Sequence, residues 1–301
     1  MALISDSVGD ASRDSVGDAL QGVPQRASHK ATGLQSRKFL RGGRVKHYLW
    51  LSVVLCLVSV APALAQGDEI QVYTGDLAPV GVFNLTWHNN YTPDGIKTPA
   101  FPGAIVSNKS WNGVTEWAYG ITDWFEGGLY LPLYSRDENL GWKIDGFKLR
   151  TLFAVPHADQ RTFVYGVNVE YSYNAKYWDT KRFTSEIRPI VGWHLNQWDL
   201  IVNPIVDTQW DGFKTLEFVP SWRLAYNPSS KWAVALEEYA DYGQVSDFAP
   251  FSSQAHQLFG VFDYAGPLDI EAGVGFGLND SSDRLQFKLI VARDLNRRPK
   301  P

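Results

Sequence analysis

Cysteine is all but missing from this sequence: Cys56 is the only one among 301 residues, and Met1 is the only methionine. Cys56 falls inside an apolar run that reads as removed on export. The exported chain then has neither thiol chemistry nor the disulfides that staple small exported domains. Leu55 is too bulky for the small residue a lipoprotein signal needs before its cysteine. Beyond residue 66 no stretch of 18 residues is wholly apolar, which excludes a membrane-spanning helix. Positive charge is also short. Residues 1–65 hold 8 of the 28 Lys and Arg and 4 of the 32 Asp and Glu, leaving 20 basic against 28 acidic residues. A surface of that sign repels phosphate backbones, so no nucleic-acid partner is expected.

The N-terminal region has the order of a secretory signal. Five positive charges lie between Arg37 and Lys46, an apolar run follows from Tyr48, and it ends in Ala63-Leu64-Ala65. Cleavage is expected between Ala65 and Gln66. A retained anchor helix is the competing reading, and Pro62 with the small-residue ending argues against it. The expected organisation is a polar extension over 1–36, disordered or preceding the true start, then a signal over 37–65. A periplasmic segment over 66–77, a barrel over 78–295 and a tail over 296–301 complete it.

Aromatic residues are abundant in what remains: 11 of the 12 Trp, 15 of the 16 Phe and 13 of the 14 Tyr lie beyond residue 65. Trp and Tyr favour membrane interfaces, where one end of the ring is apolar and the other wet. A membrane protein without spanning helices must be a closed barrel, because open sheet edges cannot face lipid. The period agrees. From Phe163 to Asn174, Phe163, Tyr165, Val167, Val169, Tyr171 and Tyr173 alternate with Gly166, Asn168, Glu170, Ser172 and Asn174. In a strand these sets point to opposite sides, the lipid-out, lumen-in pattern of an outer-membrane barrel.

The same parity predicts an all-β, antiparallel up-and-down barrel of twelve strands: 78–91, 111–121, 124–135, 143–155, 161–175, 181–195, 198–209, 213–226, 231–243, 254–264, 268–278 and 284–295. Their lengths suit tilted spanning strands. Trp87, Trp111, Trp124, Trp142, Trp193, Trp198, Trp210 and Trp232 are expected in girdles at the two rims. An even strand number with longer odd-numbered loops places both termini in the periplasm, and 93–110 is the expected main external loop. Glu238 falls on the lipid side by strict parity, which calls for a bulge near Glu237-Glu238 or a rim position. The chain also lacks a terminal aromatic residue, so the tail hangs free or assembly uses an internal signal.

Parity also nominates the lumen lining. It comprises Glu116 and Glu126 on strands two and three, Lys148 and Arg150 on four, Glu170 on five, and Arg182, Glu186 and Arg188 on six. Glu217 and Arg223 follow on eight, Glu237 on nine, Asp269 and Glu271 on eleven, Arg284 and Lys288 on twelve. Basic strand four adjoins acidic five, which adjoins basic residues of six; acidic eleven adjoins basic twelve. Such charges form either a structural lattice, since buried charges pair, or a polar constriction for small solutes; both can hold together.

Other chemistry finds little footing. His88, His157, His194 and His256 have no neighbour at metal-ligand spacing, so neither metal nor cofactor is expected. A lipase-type barrel would need a serine two residues after its histidine. Asn90, Asp159, Asn196 and Leu258 stand there instead, and no G-x-S-x-G elbow is present. No enzymatic activity is expected. Gly273, Gly275 and Gly277 alternate on one strand face rather than forming a phosphate loop, and more room inside the barrel is their expected use.

The stretches GVFNLTWHNNYTPDG (81–95), WNGVTEWAYGITDWFEGGLYLPLY (111–134), YNAKYWD (173–179), TSEIRPIVGWHLN (184–196) and AGVGFGL (272–278) carry a resemblance. Between Tyr73 and Leu295 the sequence resembles proteobacterial outer-membrane proteins grouped with the phenol meta-pathway degradation family of barrels. The resemblance implies uptake of hydrophobic or aromatic compounds by pathway association, and supplies no catalytic residues. The expectation is a passive channel or uptake protein for small molecules in the cell outer membrane. Its partners would be outer-membrane lipid, a small-molecule solute and the outer-membrane assembly machinery. The alternatives are a closed barrel acting through its external loops and, least supported, a surface enzyme.

Overall fold

The computed structural model describes residues 67–296. The signal and its Ala65–Gln66 cleavage point, the 1–36 extension and residues 297–301 lie outside the described residues. Alternating apolar and polar side chains build twelve spanning strands. They are β1 (Phe83–Asp94), β2 (Ser110–Gly120), β3 (Phe125–Asp137), β4 (Gly141–Ile144 and Phe147–Ala154), β5 (Phe163–Tyr173) and β6 (Phe183–Leu195). There follow β7 (Trp198–Asn203 and Val206–Thr208), β8 (Glu217–Phe218 and Ser221–Ser229), β9 (Trp232–Asp241), β10 (Ala255–Tyr264), β11 (Asp269–Gly277) and β12 (Leu285–Asp294). Pro204 and Pro220 occupy the interruptions of β7 and β8, where a residue without an N–H breaks the ladder. Gly146, at φ 88, marks the break in β4.

Every strand pairs antiparallel with the next, and β1 pairs with β12 from Asn84↔Asp294 to Asp94↔Leu285. The ring is closed and has no free edge, as a sheet in lipid requires. Asn296 pins the seam: its side chain accepts from the Phe83 N–H at 2.7 Å and donates to the Gly81 carbonyl at 2.9 Å. Among the described residues no helix is long and apolar enough to cross a membrane; the crossing is made by strands.

The outer face is mainly apolar. All eight tryptophans expected at the rims are exposed, although Trp87 sits at mid-strand rather than at an end. Aromatic pairs join neighbouring strands around the end that carries the short turns: Phe83–Tyr119, Phe125–Phe153, Phe163–Trp193, Trp198–Tyr226 and Trp232–Tyr264, with centroids 4.4–5.5 Å apart. Longer connections, chiefly 95–109 and 242–254, crown the opposite end, the external one by the rule for such barrels.

Glu238 needs no bulge. The ladder runs unbroken through Trp222↔Glu238↔Leu258. Three residues from the end of β9, the carboxylate accepts from Trp222 Nε1 at 2.6 Å and meets His256 Nδ1 at 3.0 Å. The glycines of β11 do make room inward: a Cβ on Gly275 would lie 2.4 Å from the Phe259 ring, and one on Gly273 would lie 3.0 Å from the Lys288 side chain.

Candidate functional site

The lumen is filled by the chain's own N-terminal segment. Residues 67–77, expected in the periplasm, run instead inside the ring from the loop end toward the short-turn end. Two observations explain the difference. Ile70 packs with Phe259 and Val261, while Val72 and Tyr73 pack with Leu152, Ile190 and Ile201. Mid-lumen therefore carries apolar inward side chains that a purely polar reading of the inner face overlooks, and the segment buries them.

An extended segment without a ladder must still satisfy its buried backbone groups, and inward side chains do this. Asn90 donates to the carbonyls of Gly67 and Asp68, both at 3.2 Å. Lys288 donates to the Ile70 carbonyl at 3.3 Å and Arg188 to that of Gln71 at 3.0 Å. Asn203 clamps Tyr73, accepting from its N–H at 2.7 Å and donating to its carbonyl at 3.0 Å. The Tyr73 and Tyr130 hydroxyls meet, and the Arg188 guanidinium lies 4.4 Å from the Tyr73 ring centroid. At the short-turn end the Glu126 carboxylate accepts from the Ala78 N–H, and Gly81 donates to the Gly120 carbonyl at 2.8 Å.

Two ion-pair lattices flank this plug. In one, Arg150 binds both Glu116 and Glu126, and Glu116 also meets His88 Nε2 at 3.2 Å. In the other, Glu237 is wholly buried and joins Arg223 to Lys288, with Asp263 and Glu271 completing the set. Arg150 stands opposite Glu170 in the ladder but turns to β2 and β3. Arg188 pairs with Glu186 of its own strand, at 2.6 and 3.1 Å, rather than with Glu170. Lys148 reaches Asp68 of the plug at 2.7 Å and Glu170 at 3.7 Å.

Three residues nominated for the lumen sit at the rims. Arg182 precedes β6 and lies 3.6 Å from Asp145, both partly exposed. Asp269 opens β11 and Arg284 precedes β12, both exposed and at opposite ends of the barrel. Parity assigns a side chain to a face and is blind to where the wall ends. Conversely, His88, Asn90, Asn168 and Asn203, all buried, were reachable by the parity rule but carry no charge to draw notice. The imidazoles of His88, His194 and His256 each meet a carboxylate across a ladder, pairings that depend on register.

Above the plug, at the loop end, lies a cavity of about 280 Å³. Glu170, Glu186 and Glu217 line it together with Asp68, Asp207, Lys148 and the rings of Phe101 and Trp178. Trp178 presses on the start of the plug so closely that a Cβ on Gly67 would fall 2.3 Å from its ring.

No family model matches the sequence, nor does any curated relative. Among solved structures the chain is similar to an outer-membrane channel from Pseudomonas putida F1. The identity is 13%, the match covers 75% of this chain and 100% of that one, and the TM-score is 0.51. The ring is an outer-membrane barrel. The NanC porin (9% identity, 70% and 100% covered, TM-score 0.46) and the KdgM porin in complex with oligogalacturonate (6%, 71% and 99%, 0.45) are more distant. At such identities the likeness establishes the fold alone.

Proposed function

We propose that this protein is an outer-membrane uptake channel for small molecules, held shut at mid-height by residues 67–77. One observation carries the reading: what blocks the lumen is a separate segment, while the strand ladder closes completely without it. A barrel built to be solid could fill its lumen with wall side chains, as small barrels do. A segment gripped by side chains can leave its seat while the ring stays intact. The apolar wall of the outer cavity, Phe101 and Trp178, suits solutes with a hydrophobic or aromatic body, in line with the family resemblance. Outer-membrane lipid and the barrel-assembly machinery are the further partners of this reading, and no catalytic step enters it.

The competing reading is a closed barrel that acts through its external loops, and the density of the two lattices favours it. Planar-bilayer recording separates the two. The full chain should pass little current, and a variant lacking 67–77 should conduct severalfold more and speed solute entry into liposomes. Near-zero current from both would leave the closed barrel standing.

A further inference from the structure

The outer cavity is lined by more carboxyl groups than basic ones. Among the described residues Lys148 is the only basic one on its wall, and Asp68 already holds that ammonium at 2.7 Å. Glu186 is taken by Arg188. Among the described residues no basic group lies within ion-pair distance of Asp207 or Glu217, and Asp207 Oδ1 is shielded from solvent with no hydrogen-bond donor. A buried carboxyl oxygen left without a partner is costly, and that of Asp207 adjoins a space large enough for a ligand.

The walls say which ligand. Carboxyl groups and the aromatic residues Trp178 and Phe101 on one wall are the chemistry that recognises alkylammonium groups, by charge and by attraction to the ring quadrupole. Among the described residues no three imidazole, thiol or carboxylate groups converge as metal ligands, and a compact dication would leave most of the cavity empty. We infer that the cavity is a binding site for an organic cation, an amine or quaternary ammonium with an apolar body, and that it sets the class of solute the channel admits. As a substrate class this rests on the channel reading; as a binding site it does not.

The test uses the full chain folded in detergent, with benzyltrimethylammonium as probe and benzyl alcohol, phenylacetate and calcium chloride as comparisons, by titration calorimetry. Benzyltrimethylammonium should bind saturably and roughly tenfold more tightly than the neutral alcohol, with no phenylacetate binding. The pair Asp207→Asn with Glu217→Gln should weaken it roughly tenfold, and Trp178→Leu about fivefold. Both variants should keep the heat-modifiable gel shift of a folded barrel. Equal binding of alcohol or anion, calcium binding in preference to the organic cation, or a double variant that binds like the parent would overturn the inference. Cation binding without current, even after removal of 67–77, would defeat the channel reading and leave the site. Current without cation binding would do the reverse.

Discussion

The middle of the lumen and its outer end are lined by the same residue types in opposite balance. From mid-height to the short-turn end Glu116, Glu126, Glu237 and Glu271 are each matched by Arg150, Arg223 or Lys288. At the loop end Asp207 and Glu217 line a cavity, and among the described residues neither has an ion-pair partner. Surroundings account for the difference. Where apolar packing and the plug exclude water, an unpaired charge costs several kcal/mol, so charges occur in sets. Where space remains for water or a solute, carboxylates can stand unmatched and impose a sign. The pairing marks the part of the lumen that holds the barrel together, and the imbalance marks the part that meets ligands.

That contrast can be broken by substitution. The largest expected effect is at Glu237, wholly buried between Arg223 and Lys288. Glu237→Gln leaves two buried cations short of a counter-charge and should cost about 3–5 kcal/mol of barrel stability, read from urea unfolding in lipid vesicles. Glu217→Gln in the outer cavity should move the same midpoint by no more than about 0.5 kcal/mol; equal costs would erase the distinction. Asn203→Leu comes next. It removes both clamps on Tyr73, leaving buried backbone groups unmet at about 1–3 kcal/mol each. The loss should fall on the plug and raise conductance, though less than deletion of 67–77.

The smallest effect lies in the external loops, where Asp283 ties 95–109 to 278–284. It accepts from the Ile96 N–H at 2.8 Å and from the Ser107 hydroxyl. Burial pushes its carboxyl above the usual range, and the two donors offset this only in part. The folded loop then keeps a proton that the unfolded chain has lost, so its contribution to stability falls as pH rises from about 4, the ordinary value, through the raised one. Protection of 95–109 from proteolysis should increase on acidification, and Asp283→Asn should flatten that slope. A parent with a flat profile would place the loop tie elsewhere.

Much of the wall was legible because its signal is local. Phe163, Tyr165 and Tyr171 face lipid while Asn168 and Glu170 face the lumen, as their alternation requires, and the strand count followed from repeating that rule. The first strand was misplaced at its start, predicted from 78 and observed from Phe83, because the plug runs into it without a change in composition. The plug itself had no periodic signature. Ile70, Val72 and Tyr73 become meaningful only opposite Phe259, Leu152 and Ile190, which lie far along the chain. The charge partners were half legible. Lys288 does meet Glu271 across adjacent strands, whereas Arg150 passes over its ladder neighbour for two carboxylates on the other side.

Taken alone, the order of residues determined which side of each strand meets lipid and how many strands there are, since side-chain direction has a period of two whatever the strand pairs with. Only the closed ring decided which charges touch, which of them reach a rim, and that the N-terminal segment lies inside. Those outcomes depend on register and on the width left within the barrel, quantities set when distant strands meet.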